Sequence, residues 1–162
     1  MIGNIKIIAV CMCKVYDERN YRIIRALNNF AVENDYRLFV YHTCSDLYWK
    51  TLSEKGEQSV FDLIDYNITD AVVTFEEGVY AENVMTKIRM DAAKYGKPVI
   101  SVGVEHDDCI SIKFGYAKGF EQVVRHVIEQ HGVRDIGFIA GRKDEENSEE
   151  RIAVFRKLLE EY

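Results

Sequence analysis

The groups in this 162-residue chain that could do chemistry are four histidines, four cysteines and a scatter of carboxylates. His42, His106 and carboxylates such as Glu105, Asp107 and Asp108 form no nucleophile–base–orienter pattern of the kind acyl or group transfer needs. No GxGxxG follows the first apolar run and no GxSxG occurs. Cys11, Cys13, Cys44 and Cys109 show neither CxxC spacing nor the number a disulfide framework needs, so they read as reduced, small buried hydrophobes. A zinc set of Cys11, Cys13, Cys44 and His42 is the minor reading, and it requires neighbouring strand ends to bring them together. No cofactor or metal is expected.

The elements that must position these groups are organised around Gly119–Gly141, GFEQVVRHVIEQHGVRDIGFIAG. Phe120, Val123, Val124, Val127 and His131 fall at helical spacing, and Gly132 supplies a left-handed stop. The continuous apolar run Ile136–Ala140 then predicts a strand covered on both faces. The same unit repeats upstream. Apolar runs predict strands at Ile5–Cys11, Tyr36–Tyr41, Asp70–Phe75 and Val99–Gly103, and helices lie between them at Tyr21–Asp35, Glu57–Tyr66 and Ala81–Tyr95. Cys109–Phe114 is a small extra extended segment, and His42–Gly56 a long polar link.

This alternation predicts an α/β fold: a doubly wound, five-stranded parallel sheet with helices on both faces, whose fifth strand is Ile136–Ala140. In such a sheet ligands sit at the carboxyl edge. The candidate loops are therefore Cys13–Tyr21, His42–Leu47, Phe75–Tyr80, Gly103–Asp108 and Gly141–Ser148. Asn147 and Glu150 are spaced as a capping box for a last helix with Ile152, Phe155, Leu159 and Tyr162 on one face. That stripe outlasts the five-stranded layer. It predicts a first lobe over 1–145 and the start of a second over 146–162, continuing past Tyr162.

A hydrophobic content of 48% is enough for a core without staples, and no apolar run reaches the ~18 residues of a membrane span. No signal-peptide pattern opens the chain, so a cytoplasmic location is expected. A net charge of -6 gives no basic field for a nucleic-acid backbone, so direct DNA contact by these residues is not expected. Charges near the carboxyl edge are of both signs: Glu76, Glu77, Glu105, Asp107 and Asp108 against Lys14, Arg19, Arg142, Lys143 and Arg151.

HVIEQHGVRDIGFIAG, with Val127–Gly141 at its heart, resembles the helix, glycine, turn, strand and terminal glycine of the effector-binding domain of LacI-type repressors, relatives of periplasmic sugar-binding proteins. RIAVF at Arg151–Phe155, DAVV at Asp70–Val73 and Asn20-Tyr21 resemble further stretches of that family. The resemblance implies two lobes hinged about a cleft, a sugar or nucleobase effector, and a homodimer. It also implies a ligand contact by Arg151, whose fork suits hydroxyl or carboxylate partners. Gly103 stands where the family often has an acidic residue, and Val133 replaces the usual histidine.

The expected ligand-binding residues are thus Tyr16, Asn20, Tyr21, His42, Phe75, Glu76, Gly103 and Arg151, with aromatics stacking on a ring and polar groups orienting it. No helix-turn-helix is expected ahead of Ile5, and similar lobes stand ahead of GGDEF-type diguanylate cyclase outputs. The leading expectation is accordingly a non-enzymatic sensor controlling an attached GGDEF output. The alternatives are the effector-binding domain of a LacI-type regulator or a small α/β enzyme. A phosphoryl receiver is disfavoured, because Cys11-Met12-Cys13 and Phe75 occupy the places its acidic residues need.

Overall fold

In the computed structural model, which describes residues 5–77, 79–143 and 145–162, the first apolar run becomes the central strand β1 (Lys6–Cys13). It pairs in parallel with β2 (Tyr36–Thr43) on one side and β3 (Ala71–Phe75) on the other. Strands β4 (Val99–Val102) and β5 (Ile110–Ile112) complete a five-stranded parallel sheet in the order β2-β1-β3-β4-β5. A strand with parallel neighbours on both sides is covered above and below, and from Ala9 to Cys13 every residue of β1 is buried.

Helix α1 (Glu18–Glu33) joins β1 to β2, α2 (Leu52–Gln58) and a 3-10 turn Ser59–Leu63 join β2 to β3, and α3 (Glu82–Lys94) joins β3 to β4. The chain steps one way from β1 to β2 and the other way thereafter, so right-handed crossovers place α1 on one face and α2 and α3 on the opposite face. On the α2–α3 face Ala9, Cys11, Val72 and Val99 pack with Phe61, Ile64, Met85, Ile88 and Ala92. Each large side chain buried there contributes roughly 1.5–3 kcal/mol relative to exposure. The alternate residues Val10 and Met12 are buried on the other face.

Two compact units divide the chain, Met1–Lys113 and Phe114–Tyr162. They part at 113/114, whereas the sequence pattern starts a second lobe at 146. The reason is the packing of α4 (Tyr116–His131) with α5 (Glu146–Glu161). Val124, Ile128, Phe155 and Leu158 form a core of their own, and the Phe138 ring stands 5.0 Å from Phe120 and 5.1 Å from Phe155. Arg125 ties the helices further through Glu161, at 2.7 Å.

Two local expectations are corrected. Ile136–Ala140 is not the fifth strand: β5 is the segment expected only as a small extension, and Ile136–Ala140 lies outside any strand. Ile136 and Phe138 pack inward while Ile139 is 97% exposed, the alternation of a strand covered on one side and without ladder partners among the described residues. The capping box at Asn147 and Glu150 does not form either. Helix α5 begins two residues earlier, its N-cap Glu145 makes no side-chain cap, and Ser148 Oγ donates to Glu145 Oε2 at 2.7 Å. A capping box does form at Thr51 and Glu54, inside the stretch expected as a polar link. Gly132 caps α4 as expected, with φ 65° and its N–H donating to the Ile128 carbonyl.

Candidate functional site

At the carboxyl edge of the sheet the loops after β1, β2, β3 and β4 are tied to one another. Lys14, in the left-handed region at φ 50°, turns the chain out of β1 and pairs with Asp46 of the β2–α2 loop at 2.8 Å. The pair raises the Lys14 pKa, and the Lys14 ammonium holds the Asp46 carboxyl below its ordinary value. The Asp46 carbonyl accepts from the Tyr80 N–H, linking the β2 and β3 loops. Glu57 accepts from the backbone N–H groups of Cys44 and Ser45 and from the Ser45 hydroxyl, and the Ser45 backbone bond lowers its pKa first. Arg19, in the first turn of α1, reaches Glu77 of the β3 loop at 2.7 Å.

The expected ligand residues fall in two groups. Tyr16, Asn20, Tyr21, His42, Phe75, Glu76 and Gly103 all lie at or beside this edge of the first unit. Tyr16 is 80% exposed and stands edge-on to the half-buried His42 ring at 5.4 Å. His42 Nδ1 lies 3.3 Å from the Thr43 carbonyl oxygen. Tyr21 is exposed on α1, and Phe75 is half-buried at the end of β3. The Asn20 amide is engaged by the chain itself, donating to the carbonyls of Cys13 and Lys14 at 3.0 and 3.1 Å. Arg151 belongs to the second unit, half-buried on α5, with Nε donating to the Asn147 carbonyl at 2.9 Å.

Glu76 is 7% exposed and anchors a buried polar network. Its carboxylate accepts from Thr74 Oγ1 at 2.7 Å and from Arg89 Nη1 at 2.9 Å to each oxygen, and His106 Nε2 lies 2.9 Å from Oε2. Arg89, itself 6% exposed on α3, also has Nε 3.6 Å from Asp108. The network fastens the β3 loop, α3 and the β4–β5 loop together. Arg89 is invisible to pattern reading because an arginine in a helix reads as solvated; only its place among buried Met85, Ile88 and Ala92 would have flagged it. Gly103 has φ 102°, and a Cβ there would meet Glu77 Cβ at 2.6 Å, so no acidic side chain fits where the resembling family often carries one.

Sequence reading also missed an aromatic cluster on this edge. Tyr48 stands edge-on to Trp49 at 4.8 Å and to Tyr80 at 5.2 Å, and Trp49 is 77% exposed. The signal was present as the chain's single tryptophan beside a tyrosine, inside a stretch that otherwise reads as polar. The minor zinc set is not assembled: Cys13 pairs with Thr43 while His42 pairs with Met12, which puts the thiol and the imidazole on opposite faces. Burial pushes the Cys13 thiol up to about 11 and Cys11 higher still, so both stay protonated at neutral pH. Among the described residues no group of three or more metal-ligating side chains occurs, and no helix is long and apolar enough to cross a membrane.

This arrangement, loops from parallel strands converging on a polar and aromatic edge, has counterparts among solved structures. The transcription regulator CcpA of Lactococcus lactis matches with TM-score 0.69 at 20% identity, over 98% of this chain and 54% of that one. The Lac repressor dimer bound to operator and the anti-inducer ONPF matches with TM-score 0.66 at 13% identity, over 98% and 45%. The chain has the fold of a LacI-type effector-binding domain. A periplasmic binding protein/LacI transcriptional regulator from Alkaliphilus metalliredigens QYMF, complexed with D-xylulofuranose, matches with TM-score 0.64 at 17% identity, over 94% and 51%. The chain spans about half the length of these structures. No family model and no curated protein sequence matches it.

Proposed function

We propose that this chain is a small-molecule-sensing regulatory domain of the LacI-type effector-binding kind, without enzymatic activity of its own. The observation that carries the reading is the likeness in fold to regulators crystallised with glucose, sucrose and D-xylulofuranose, together with an edge where exposed aromatics stand beside tied polar loops. Sugars and nucleobases both offer a flat face for Tyr16, Phe75 or Trp49 and hydroxyl or amide groups for polar partners. Asn20 and Glu76 act in this reading by holding the loops in place, since their polar atoms are already engaged by the chain.

In the second unit, the exposed edge of Ile136–Ala140 and the half-buried Arg151 suit the opening segment of a second lobe whose further strands would pair with Ile136–Ala140. The attached output is then a transcription regulator's. That alternative has support from the fold neighbours, whereas the GGDEF output has none. A homodimer, a cytoplasmic location and effector control of the output complete the proposal, with ligand acting through its differential affinity for two states of the protein. Titrating glucose, sucrose, xylulose and adenine while following Trp49 fluorescence tests it. A saturable change with one of them, reduced by Tyr16→Ala or Phe75→Ala, is expected; no response to any of the four contradicts the assigned ligand class.

A further inference from the structure

We propose that His126 and His131 at the end of α4 form a site for one borderline divalent cation, zinc foremost, held through both Nε2 atoms. The two Nε2 atoms stand 3.1 Å apart on exposed side chains, with ring centroids 4.9 Å apart and planes at 76°. A spacing of five residues is not one that a helix brings face to face, so the rings meet only because both lean across the helix end. Zinc–nitrogen bonds of about 2.0–2.1 Å place two imidazole nitrogens about 3.3 Å apart in a tetrahedral shell and about 2.9 Å apart as octahedral neighbours. The observed separation lies between these values. It also fits an N–H···N hydrogen bond, which joins the rings until a cation takes the place of that proton.

The surroundings favour a cation of this kind. His131 is the last helical residue before the Gly132 cap, where the helix dipole presents its negative end. Glu129 accepts from the Tyr162 hydroxyl, Glu121 and Glu161 pair with Arg125, and among the described residues no third metal-ligating side chain groups with the two histidines. The donor set is therefore two imidazoles completed by water, which suits zinc, nickel or copper and not the oxygen-seeking calcium or magnesium. The site is independent of the ligand reading at the sheet edge.

The test is a titration of the untagged full chain with zinc chloride, by calorimetry and by NMR of the imidazole nitrogens. One equivalent bound, shifts at Nε2 of both histidines and no response to calcium are expected. His126→Gln and His131→Gln should each weaken binding at least about tenfold, the least that losing even an outer-shell partner of a metal costs. Cys44→Ser should leave binding unchanged. Wild-type spectra without zinc-dependent imidazole shifts would overturn the proposal, as would binding that survives both histidine substitutions or disappears with Cys44→Ser. Circular dichroism checks the fold of the variants, and the wild-type imidazole spectrum decides the matter even if one of them misfolds.

Discussion

Strand β1 and the segment Ile136–Ala140 are both short apolar runs, yet one is the buried centre of a sheet and the other has a residue that is 97% exposed. The difference lies in partners. Strand β1 has β2 and β3 to fill its ladder and helices over both faces, so every apolar side chain from Ala9 to Cys13 is covered. Ile136–Ala140 has the α4–α5 pair on one side only, and Ile136 and Phe138 take what cover there is. An apolar run reports a capacity to be buried; its fate depends on residues far away in sequence.

The largest effect that would sharpen this contrast is expected in the first unit. Arg89→Ala leaves Glu76 buried without its main partner and should destabilise by about 3–5 kcal/mol, read from denaturant midpoints. A loss below about 1 kcal/mol would mean that water or the Glu76 neighbours compensate. In the second unit, Leu158→Ala opens a void in the α4–α5 core and should cost about 2–5 kcal/mol, whereas Ile139→Ala should stay within about 0.5 kcal/mol. Equal costs for the two would break the comparison, because they would put Ile139 in a core.

Smaller changes probe the sheet edge. Gly103→Ala must tolerate φ 102° and a Cβ crowding Glu77, and should lose about 1–3 kcal/mol, visible as a lowered Tm. The Lys14–Asp46 pair is partly exposed and screened, so its share is under about 1 kcal/mol. Its sign is fixed by linkage. The depressed Asp46 pKa gives stability that is present above the ordinary carboxyl value of 3.8 and is lost as pH falls through the lower folded value. The raised Lys14 pKa gives stability that is present below 10.5 and lost as pH rises through the higher folded value. Asp46→Asn should flatten both limbs, seen in melts across the pH range.

Much of the fold is legible in the residues because parallel strands and amphipathic helices write different periods. The strands β1 to β4, the helix α3 ending before Gly96 and the Gly132 cap all follow from local pattern. The edge strand β5 is three residues long and half solvent-facing, too short to outweigh the stronger run at Ile136–Ala140. Helix α2 was hidden because its seven residues are polar but for Leu52, and it is held by the Thr51–Glu54 box instead of by an apolar face. Of the five loops expected at the carboxyl edge, four follow strands of the sheet and were legible from topology, whereas Gly141–Ser148 follows a segment that is no strand of this sheet and belongs to the second unit. The Glu76–Arg89–His106 network was not: the place of Arg89 on the buried face of α3 hints at burial, but nothing local names partners that lie far away in sequence.

The central claim is that the carboxyl edge of the first unit is a small-molecule site. It is tested most directly by amide NMR of the whole chain titrated with glucose, sucrose, xylulose and adenine. The account predicts saturable shifts with one of these, concentrated in the loops at 14–21, 42–49, 75–77 and 103–108. No saturable shift with any of them, or shifts centred elsewhere, would contradict it.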